Sequence, residues 1–281
     1  MKIRSILKIL VVFVTIACLT YFIVDKMIPK TNIVTKKSEF LSSKLKKIQY
    51  VAIGDSLTEG VGDSTNQGGF VSLLAQDLGA TYNLEVNFKN FGVSGNTSQQ
   101  ILNRLKSQSE IKKQVKNSRF VTLTVGGNDI LSVLRKDFTT IDEEAFKKAN
   151  DTYIANLKSI IGSVRNEKRD IPIYILGVYN PFYLNFPEIT KIQDIIDDWN
   201  DSTDTLTKTY QSVYFVPINQ LLYKGIDGKE GVVQTSGDQV SVINDALFSE
   251  DHFHPNTIGY QIMSNAIMEK LNETKSNWQK K

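Results

Sequence analysis

The sequence is poor in cysteine and histidine, and both shortages narrow the chemistry that the chain can perform. It has one cysteine, Cys18, which excludes an internal disulfide framework. It has two histidines, His252 and His254, and both lie close to the C-terminus. Internal repeats and low-complexity tracts are also absent. A reaction that needs an imidazole base must therefore draw on one short segment.

A serine follows an apolar strand near residue 50. Residues 50–60 read YVAIGDSLTEG, in which the apolar run meets a glycine-rich turn. Open α/β sheets bind their ligands at the carboxyl ends of their strands, which is where this turn delivers Ser56. A hydroxyl is a weak nucleophile, so it needs a general base and hydrogen-bond donors for the oxyanion that its attack creates. We predict that Ser56 is a nucleophile and that the rest of the chain supplies both kinds of partner.

One segment, SEDHFHPN at residues 249–256, supplies the candidate base. Asp251 and His254 are three positions apart, a spacing that puts two side chains on one face of a helical turn. There the carboxylate can accept a hydrogen bond from the ring and fix its tautomer. His252 is adjacent to Asp251 and would point elsewhere in such a turn. We predict His254 as the base and Asp251 as its orienting acid.

Two further segments predict donors for the oxyanion. Residues 90–97 read NFGVSGNT and residues 124–129 read TVGGND, and each follows a candidate strand. The backbone N–H of Gly95, the side-chain amide of Asn128 and the N–H of Ser56 can converge on one oxygen. We assign no role to Asp129.

These residues together resemble the GDSL esterases and lipases of the SGNH hydrolase superfamily. Four blocks occur in family order: Gly54 to Leu57, Gly95 within VSGNT, Gly126 to Asp129, and Asp251 to His254. The resemblance covers roughly residues 48–272, and its specificity lies in the conjunction of the blocks. It implies Ser56 as nucleophile, His254 as base, Asp251 as orienting acid, and an oxyanion hole completed by Gly95 and Asn128. It implies ester hydrolysis without a cofactor or a metal. The glycine-containing stretch at 224–250 departs from the family pattern and predicts an insertion.

Strand and helix patterns alternate along the chain and predict an α/β fold. The candidate strands are Gln49–Ile53, Leu84–Phe91, Phe120–Val125, Ile171–Val178 and Ser212–Val216. The candidate helices are Phe70–Leu78, Ser98–Leu105, Glu143–Asn166, Ile189–Thr209 and Thr257–Leu271. Such alternation predicts a three-layer α/β/α, flavodoxin-like domain with a mostly parallel five-stranded sheet.

The N-terminal segment differs in composition from the rest of the chain and is predicted to form a hydrophobic helix. Basic residues precede an uncharged run from Ile9 to Val24, after which charges return. The run favours a retained membrane anchor, because no small-residue cleavage site follows it; a cleaved signal peptide is the alternative. Lipidation at Cys18 is a weaker interpretation than a thiol within the anchor. The predicted organisation is an anchor or signal segment at 1–28, a basic linker at 29–47, the hydrolase domain at 48–272 and a polar tail at 273–281.

The positive charge is concentrated in the N-terminal stem. Residues 1–50 carry ten Lys or Arg and two Asp or Glu, whereas the whole chain is +3, so the remainder is net −5. A mildly acidic domain argues against nucleic-acid binding. A basic stem suits anionic lipid or wall polymers, although a merely solvated linker explains it equally well.

Two other patterns have competing interpretations. The acidic residues Asp197, Asp198, Asp201 and Asp204 predict a solvated helix face rather than a cation site. The aromatic residues Tyr179, Phe182, Tyr183 and Phe186 suit either an acyl or sugar pocket or an ordered apolar loop.

The sequence therefore predicts a serine esterase or lipase that acts outside the cytoplasm, anchored in the cell membrane or secreted. Its substrate would be an ester of a lipid or of an acylated glycan. The alternatives are an O-acetyl esterase acting on cell-wall polysaccharide and a non-catalytic surface binding module with the same fold.

Overall fold

The core of the protein is a parallel five-stranded sheet with helices on both faces. The computed structural model describes residues 45–136, 142–183, 190–223, 232–236 and 239–279. Its strands are β1 (Lys46–Gly54), β2 (Leu84–Gly92), β3 (Val121–Thr124), β4 (Ile173–Leu176), β5 (Val213–Val216), β6 (Val232–Ser236) and β7 (Gln239–Ile243). Its helices are α1 (Ser56–Glu59), α2 (Phe70–Tyr82), α3 (Ser98–Ser107), α4 (Ser109–Asn117), α5 (Gly127–Leu134), α6 (Glu143–Glu167), α7 (Thr190–Thr207), α8 (Asn219–Tyr223), α9 (Thr257–Glu273) and α10 (Lys275–Trp278).

The side chains of strand β1 contribute to two hydrophobic cores, one on each face of the sheet. Its side chains alternate: Ile48, Tyr50 and Ala52 pack on one face with α2 and α9, whereas Val51 and Ile53 pack on the other with α3 and α6. A strand with period-2 alternation and apolar residues on both faces must lie inside a sheet covered by helices. This confirms the predicted three-layer α/β/α architecture. The predicted N-terminal helix lies outside the described residues.

The order of the strands fixes where a site can form. The five-stranded sheet runs β2-β1-β3-β4-β5, and every neighbouring pair is parallel. The chain leaves β1 toward β2 and returns to the opposite side of β1 as β3, so a crevice opens between the carboxyl ends of β1 and β3. Ser56 follows β1, and the segment Gly126–Asn128 follows β3.

The five predicted strands and five predicted helices are all present, with ends that differ by a few residues. Among the described residues, helices α1, α4, α5, α8 and α10 were not predicted. Helix α5 was missed because its first residues, GND, are typical of a turn. The 224–250 stretch contains an antiparallel pair, β6 and β7, which forms a separate two-stranded sheet.

The C-terminal boundary is corrected by the structure. Helix α9 continues to Glu273, and α10 brings Trp278 into the core with 1% of its surface exposed. The indole N–H donates to the Leu271 carbonyl at 2.8 Å, and the ring meets Tyr82 edge-on. The segment predicted to be a polar tail therefore contributes a large buried apolar side chain. Trp278 was not recognised as a core residue because the residues around it are polar.

The described residues contain no helix that is long and apolar enough to cross a membrane. The predicted anchor at 1–28, and all but the last three residues of the predicted linker at 29–47, lie outside those residues. Strand β1 begins at Lys46, two residues before the predicted start of the domain.

Candidate active site

Ser56 occupies a sharp turn between β1 and a short helix. The preceding residue, Asp55, caps α1 by accepting the N–H of Leu57 at 3.1 Å. Gly60 ends the helix in the left-handed conformation, φ +96°, and its N–H donates to the Ser56 carbonyl at 2.9 Å. Glycine adopts this conformation without strain. Ser56 is 6% exposed, so the turn presents its hydroxyl to a crevice rather than to open solvent.

A buried hydrogen-bonded cluster ties this turn to the end of β3. The Thr124 hydroxyl donates to the Asp55 carboxylate at 2.8 Å, and the Thr58 hydroxyl lies 2.7 Å from the Thr124 hydroxyl. Burial raises the pKa of Asp55, and the hydrogen bonds from Thr124 and the Leu57 N–H partly offset this effect. The cluster fixes the turn that carries Ser56 relative to the strand that leads to Asn128. This role of Thr124 was not predicted from the sequence.

Ser56, His254 and Asp251 form a continuous hydrogen-bonded chain. His254 Nε2 lies 2.9 Å from Ser56 Oγ, and His254 Nδ1 lies 2.6 Å from Asp251 Oδ2. The other Asp251 oxygen accepts the backbone N–H groups of Phe253 at 2.9 Å and His254 at 3.0 Å. Burial acts to raise the pKa of Asp251, but the His254 ring and these two N–H groups outweigh it and lower the pKa. An ionised Asp251 places the ring proton on Nδ1 and leaves Nε2 free to accept the serine proton.

The turn that carries His254 is held from three sides. The Phe248 N–H donates to the His254 carbonyl at 2.7 Å, and the Tyr179 hydroxyl donates to the Phe253 carbonyl at 2.5 Å. The Asn256 side chain donates to the carbonyls of Asp245 and Leu247, and its oxygen caps α9. His252 is exposed and has a positive φ of +51°, so the structure places the two histidines in different surroundings, as the spacing predicted.

The loop after α1 packs directly on the histidine segment. The Asp63 carboxylate accepts the N–H groups of Thr65, Gln67 and Gly69 and the hydroxyl of Thr257. These bonds overcome the effect of burial and lower the pKa of Asp63. A Cβ on Gly62 would lie 2.5 Å from the Pro255 carbonyl oxygen, so only glycine permits this approach. The loop therefore supports the distance between the serine and its imidazole partner.

The two segments predicted to hold the oxyanion are joined to each other. The Asn128 side-chain amide donates to the Asn96 carbonyl at 3.1 Å, next to Gly95. Gly95 has φ +77°, and a Cβ there would meet nothing within 4 Å. Its conformation therefore requires glycine even though the surrounding space does not. Gly126, the N-cap of α5, has φ +115°, and a Cβ there would lie 2.8 Å from the indole nitrogen of Trp199.

Asp129 has a structural partner that the sequence did not reveal. Its carboxylate accepts the Ser98 N–H at 2.9 Å and the Ser98 hydroxyl at 2.5 Å. The Asn156 amide in turn donates to the Ser98 hydroxyl oxygen at 3.0 Å. Burial raises the pKa of Asp129, and the bonds from Ser98 oppose it. Asp129 thereby joins the first turns of α3 and α5, the two helices that follow the candidate oxyanion segments.

A small pocket adjoins Ser56. Among the described residues the pocket has a volume of about 40 Å³ and is partly open to solvent; the residues that line it include Ser56, Leu57, Asn128, Leu131, Val178 and Phe253. At roughly 10 to 15 Å³ for each water-sized group, this volume holds about three such groups. Of the aromatic residues singled out in the sequence, Tyr179 also lines the pocket, and Phe182 packs against Phe253 with ring centres 6.2 Å apart. Tyr183 instead contacts Tyr223, and Phe186 lies outside the described residues.

Two of the acidic residues of α7, Asp197 and Asp204, make side-chain contacts within the protein. Asp204 pairs with Lys208 at 2.7 Å, one turn further along the chain. Asp197 accepts the side-chain amides of Gln193 and Asn219. Within the part of the chain that the structure describes, no group of three or more His, Cys, Asp or Glu side chains is arranged to hold a metal ion.

Known proteins share this combination of sequence and fold. The model of the GDSL-like lipase/acylhydrolase family matches residues 52–262. The chain is 29% identical over 225 residues to the uncharacterized protein YpmR of Bacillus subtilis, covering 80% of this chain and 81% of that protein. It is 28% identical over 224 residues to the spore germination lipase LipC of Bacillus licheniformis, covering 78% of this chain and 94% of that one.

A solved structure agrees with these sequence relatives. The lipase Lip_vut3 from a goat rumen metagenome superposes with a TM-score of 0.65 at 27% sequence identity, covering 79% of this chain and 96% of that chain. The family match takes in the segments that carry Ser56, Gly95, Asn128, Asp251 and His254. The chain therefore belongs to the GDSL-like lipase/acylhydrolase family of ester-hydrolysing enzymes.

Proposed function

We propose that the protein is a serine esterase that works through an acyl-enzyme intermediate. The observation that carries this proposal is the chain of contacts from Ser56 Oγ to His254 Nε2 at 2.9 Å and from His254 Nδ1 to Asp251 at 2.6 Å. It combines a nucleophile, a base within hydrogen-bond reach and a group that orients the base. A binding module has no need for these three groups in contact.

The reaction proceeds in two halves. Ser56 Oγ attacks the ester carbonyl carbon while its proton passes to His254 Nε2. When the tetrahedral intermediate collapses, the bond to the leaving alcohol breaks, and the imidazolium returns the proton to the alcohol oxygen. Water then attacks the acyl-serine, gives its proton to His254 and releases the carboxylic acid as Ser56 recovers its hydrogen. Asp251 remains ionised throughout and stabilises the imidazolium.

The oxyanion is held by the N–H groups of Ser56 and Gly95 and by the Asn128 side chain. A side-chain amide has two N–H donors. The hydrogen bond from Asn128 to the Asn96 carbonyl uses one of them and orients the amide, so the second is available to the substrate oxygen. Asn128 also lines the pocket beside Ser56, which is where the carbonyl of a bound ester would lie.

The size of the pocket favours short acyl groups. A volume of about 40 Å³ accommodates an acetyl or propionyl group, whereas a long chain would have to leave the pocket. This observation favours a second candidate within the same chemistry, an O-acetyl esterase acting on an acylated glycan. Lipid esters remain substrates if the alcohol portion rather than the acyl chain carries the bulk.

We further propose that the enzyme acts outside the cytoplasm, close to the membrane. The support is the uncharged run from Ile9 to Val24, followed by a basic stem. The test is to fractionate cells that express the full chain and the chain without residues 1–28. Loss of membrane association only in the shortened form would support an anchor, and equal distribution of the two forms would refute it.

The esterase itself is tested with p-nitrophenyl esters of graded acyl length. The proteins compared are the fragment from Lys44 onward, its Ser56→Ala variant, and Ser107→Ala as a control for serine loss at an exposed site. We expect Ser56→Ala to abolish hydrolysis, Ser107→Ala to retain it, and acetyl and propionyl esters to react fastest. Equal rates for wild type and Ser56→Ala would refute the serine mechanism. Folded proteins inactive on every ester would favour the binding module.

A further inference from the structure

A single arginine contacts the carboxyl ends of the neighbouring strands β1 and β2 and the loop that carries Gly95. Arg104 lies half-buried on α3. Its Nη2 donates to the Phe91 carbonyl at 2.8 Å, at the carboxyl end of β2. Its Nη1 donates to the Asn96 side-chain oxygen at 3.2 Å and, at the longer distance of 3.4 Å, to the Gly54 carbonyl. One planar guanidinium thus spans three chain segments, which its fork of five donors suits.

The same loop is held from its other side by a carboxylate. Glu59, at the end of α1, accepts the Ser94 N–H at 2.5 Å. A Cβ on Gly92 would lie 2.0 Å from the Glu59 backbone nitrogen, so this strand end lies against the nucleophile helix. Glu59 and Arg104 also attract each other electrostatically. Residues 92–97 therefore lie between the Glu59 carboxylate at the end of α1 and the Arg104 guanidinium on α3.

Asn96 passes this constraint on to Asn128. The Asn96 side-chain oxygen accepts from Arg104, while its backbone carbonyl accepts from the Asn128 amide. Asn96 is 9% exposed, so water has little access to replace either bond. The Asn96 N–H also donates to the Val93 carbonyl at 3.2 Å, which closes the turn that contains Gly95. Two of the three proposed oxyanion donors thus depend on where Asn96 is held.

We infer that Arg104 is a positioning residue of the oxyanion hole: by fixing Asn96 against the ends of β1 and β2, it aligns the Gly95 N–H and the Asn128 amide with the carbonyl that Ser56 attacks. This inference rests on the proposed serine esterase activity. Arg104 does not touch the reacting atoms, so its contribution is to geometry. A displacement of about 1 Å in such a group lowers the rate roughly 10²-fold.

The test compares Arg104→Met with Lys106→Met, an exposed basic residue on the same helix. We expect Arg104→Met to lower kcat about 10²-fold with KM within threefold of wild type. Affinity for a trifluoromethyl ketone, which forms a tetrahedral adduct with the serine, should fall by a similar factor. The pH at half-maximal kcat/KM should not move, because the contacts between His254 and Asp251 are intact. The kcat of Arg104→Lys should lie between those of wild type and Arg104→Met, because lysine keeps the charge but not the forked donors of the guanidinium.

A second variant covers the case in which Arg104→Met does not fold. Asn96→Ala removes the acceptor in the loop but leaves the bonds from Arg104 to the strand ends. It should lower kcat with KM preserved, and the double variant should lose much less than the product of the two single losses. Amide hydrogen exchange in the full chain should accelerate at residues 93–97 in both single variants but not in Lys106→Met.

Two negative results are distinguishable. If wild type is active and Arg104→Met matches Lys106→Met in kcat/KM and in exchange, the positioning role is refuted while the esterase stands. If wild type hydrolyses no ester and Ser56 does not react with a fluorophosphonate, the proposed function fails and the positioning role fails with it. If the loss of kcat in the double variant equals the product of the two single losses, the inference is also refuted, because Arg104 then does not act through Asn96.

Discussion

Replacing Asp251 by Asn tests whether the carboxylate orients the base. Asn keeps an oxygen that can accept the N–H groups of Phe253 and His254, now bonded at 2.9 and 3.0 Å, so the turn should survive. The change falls on the other atom, because an NH₂ group replaces the oxygen that lies 2.6 Å from His254 Nδ1. Two donors cannot face each other, so the ring proton moves to Nε2. Nε2 would then donate to Ser56 Oγ and be unable to accept its proton.

The exposure of Asp251 in the structure indicates how large the loss in kcat should be. For a buried carboxylate in this role the same change lowers kcat about 10⁴-fold. The Asp251 side chain is 36% exposed, so water can take over part of its function. We therefore expect a loss of about 10³-fold in kcat, equivalent to roughly 4 kcal/mol of barrier, with KM little changed.

The assay is hydrolysis of p-nitrophenyl acetate at pH 7 to 8, with thermal unfolding as a check on the fold. The matched control is Glu250→Gln, which removes a neighbouring exposed charge and should retain full activity. If Asp251→Asn stays within tenfold of wild type while folding normally, another group or water orients His254. The 2.6 Å contact between Asp251 and His254 Nδ1 would then not determine the tautomer of the ring.

Two further perturbations follow from the site. Asn128→Ala should lower kcat by about 10² to 10³-fold without raising KM, because an oxyanion donor acts mainly in the transition state; a loss confined to KM would instead make Asn128 a ground-state binding residue. Asp63 has a lowered pKa in the folded protein, so its contribution to stability is present above the unfolded pKa of about 3.9 and is lost as the pH falls through the folded pKa. Between pH 7 and 3 the Tm of Asp63→Asn should fall less than the Tm of wild type, and at pH 7 it should start lower. Parallel curves of Tm against pH would show that Asp63 does not contribute to acid unfolding.

The regular elements could be predicted because their signals are local. Strand β1 and helix α9 have their apolar periodicity and caps within the segment, and Asn256 caps α9 through the adjacent N–H groups of Ile258 and Gly259. Helix α10 could not be predicted in this way. Its stability comes from the burial of Trp278 against Tyr82, a contact between distant parts of the chain.

The same distinction applies to the site. Ser56, Asp251 and His254 were recognisable because each lies in a short motif with its own spacing. The residues that hold them in place were not: Thr124 acts on Asp55 across the sheet, Arg104 on Asn96 across a loop, and Tyr179 on the turn before His254. Each is an ordinary residue in its local sequence and acquires a role only when the strands are arranged side by side.

The contact between Ser56 and His254 joins residues that are 198 positions apart. During synthesis at about 5 to 20 residues per second, the nucleophile leaves the ribosome roughly 10 to 40 s before its imidazole partner. Under the proposed mechanism the serine has no general base in that interval, so an incomplete chain would not attack esters around it. The same mechanism predicts that a chain ending before residue 254 hydrolyses no ester, and that hydrolysis begins only after the C-terminal helices have packed on the sheet.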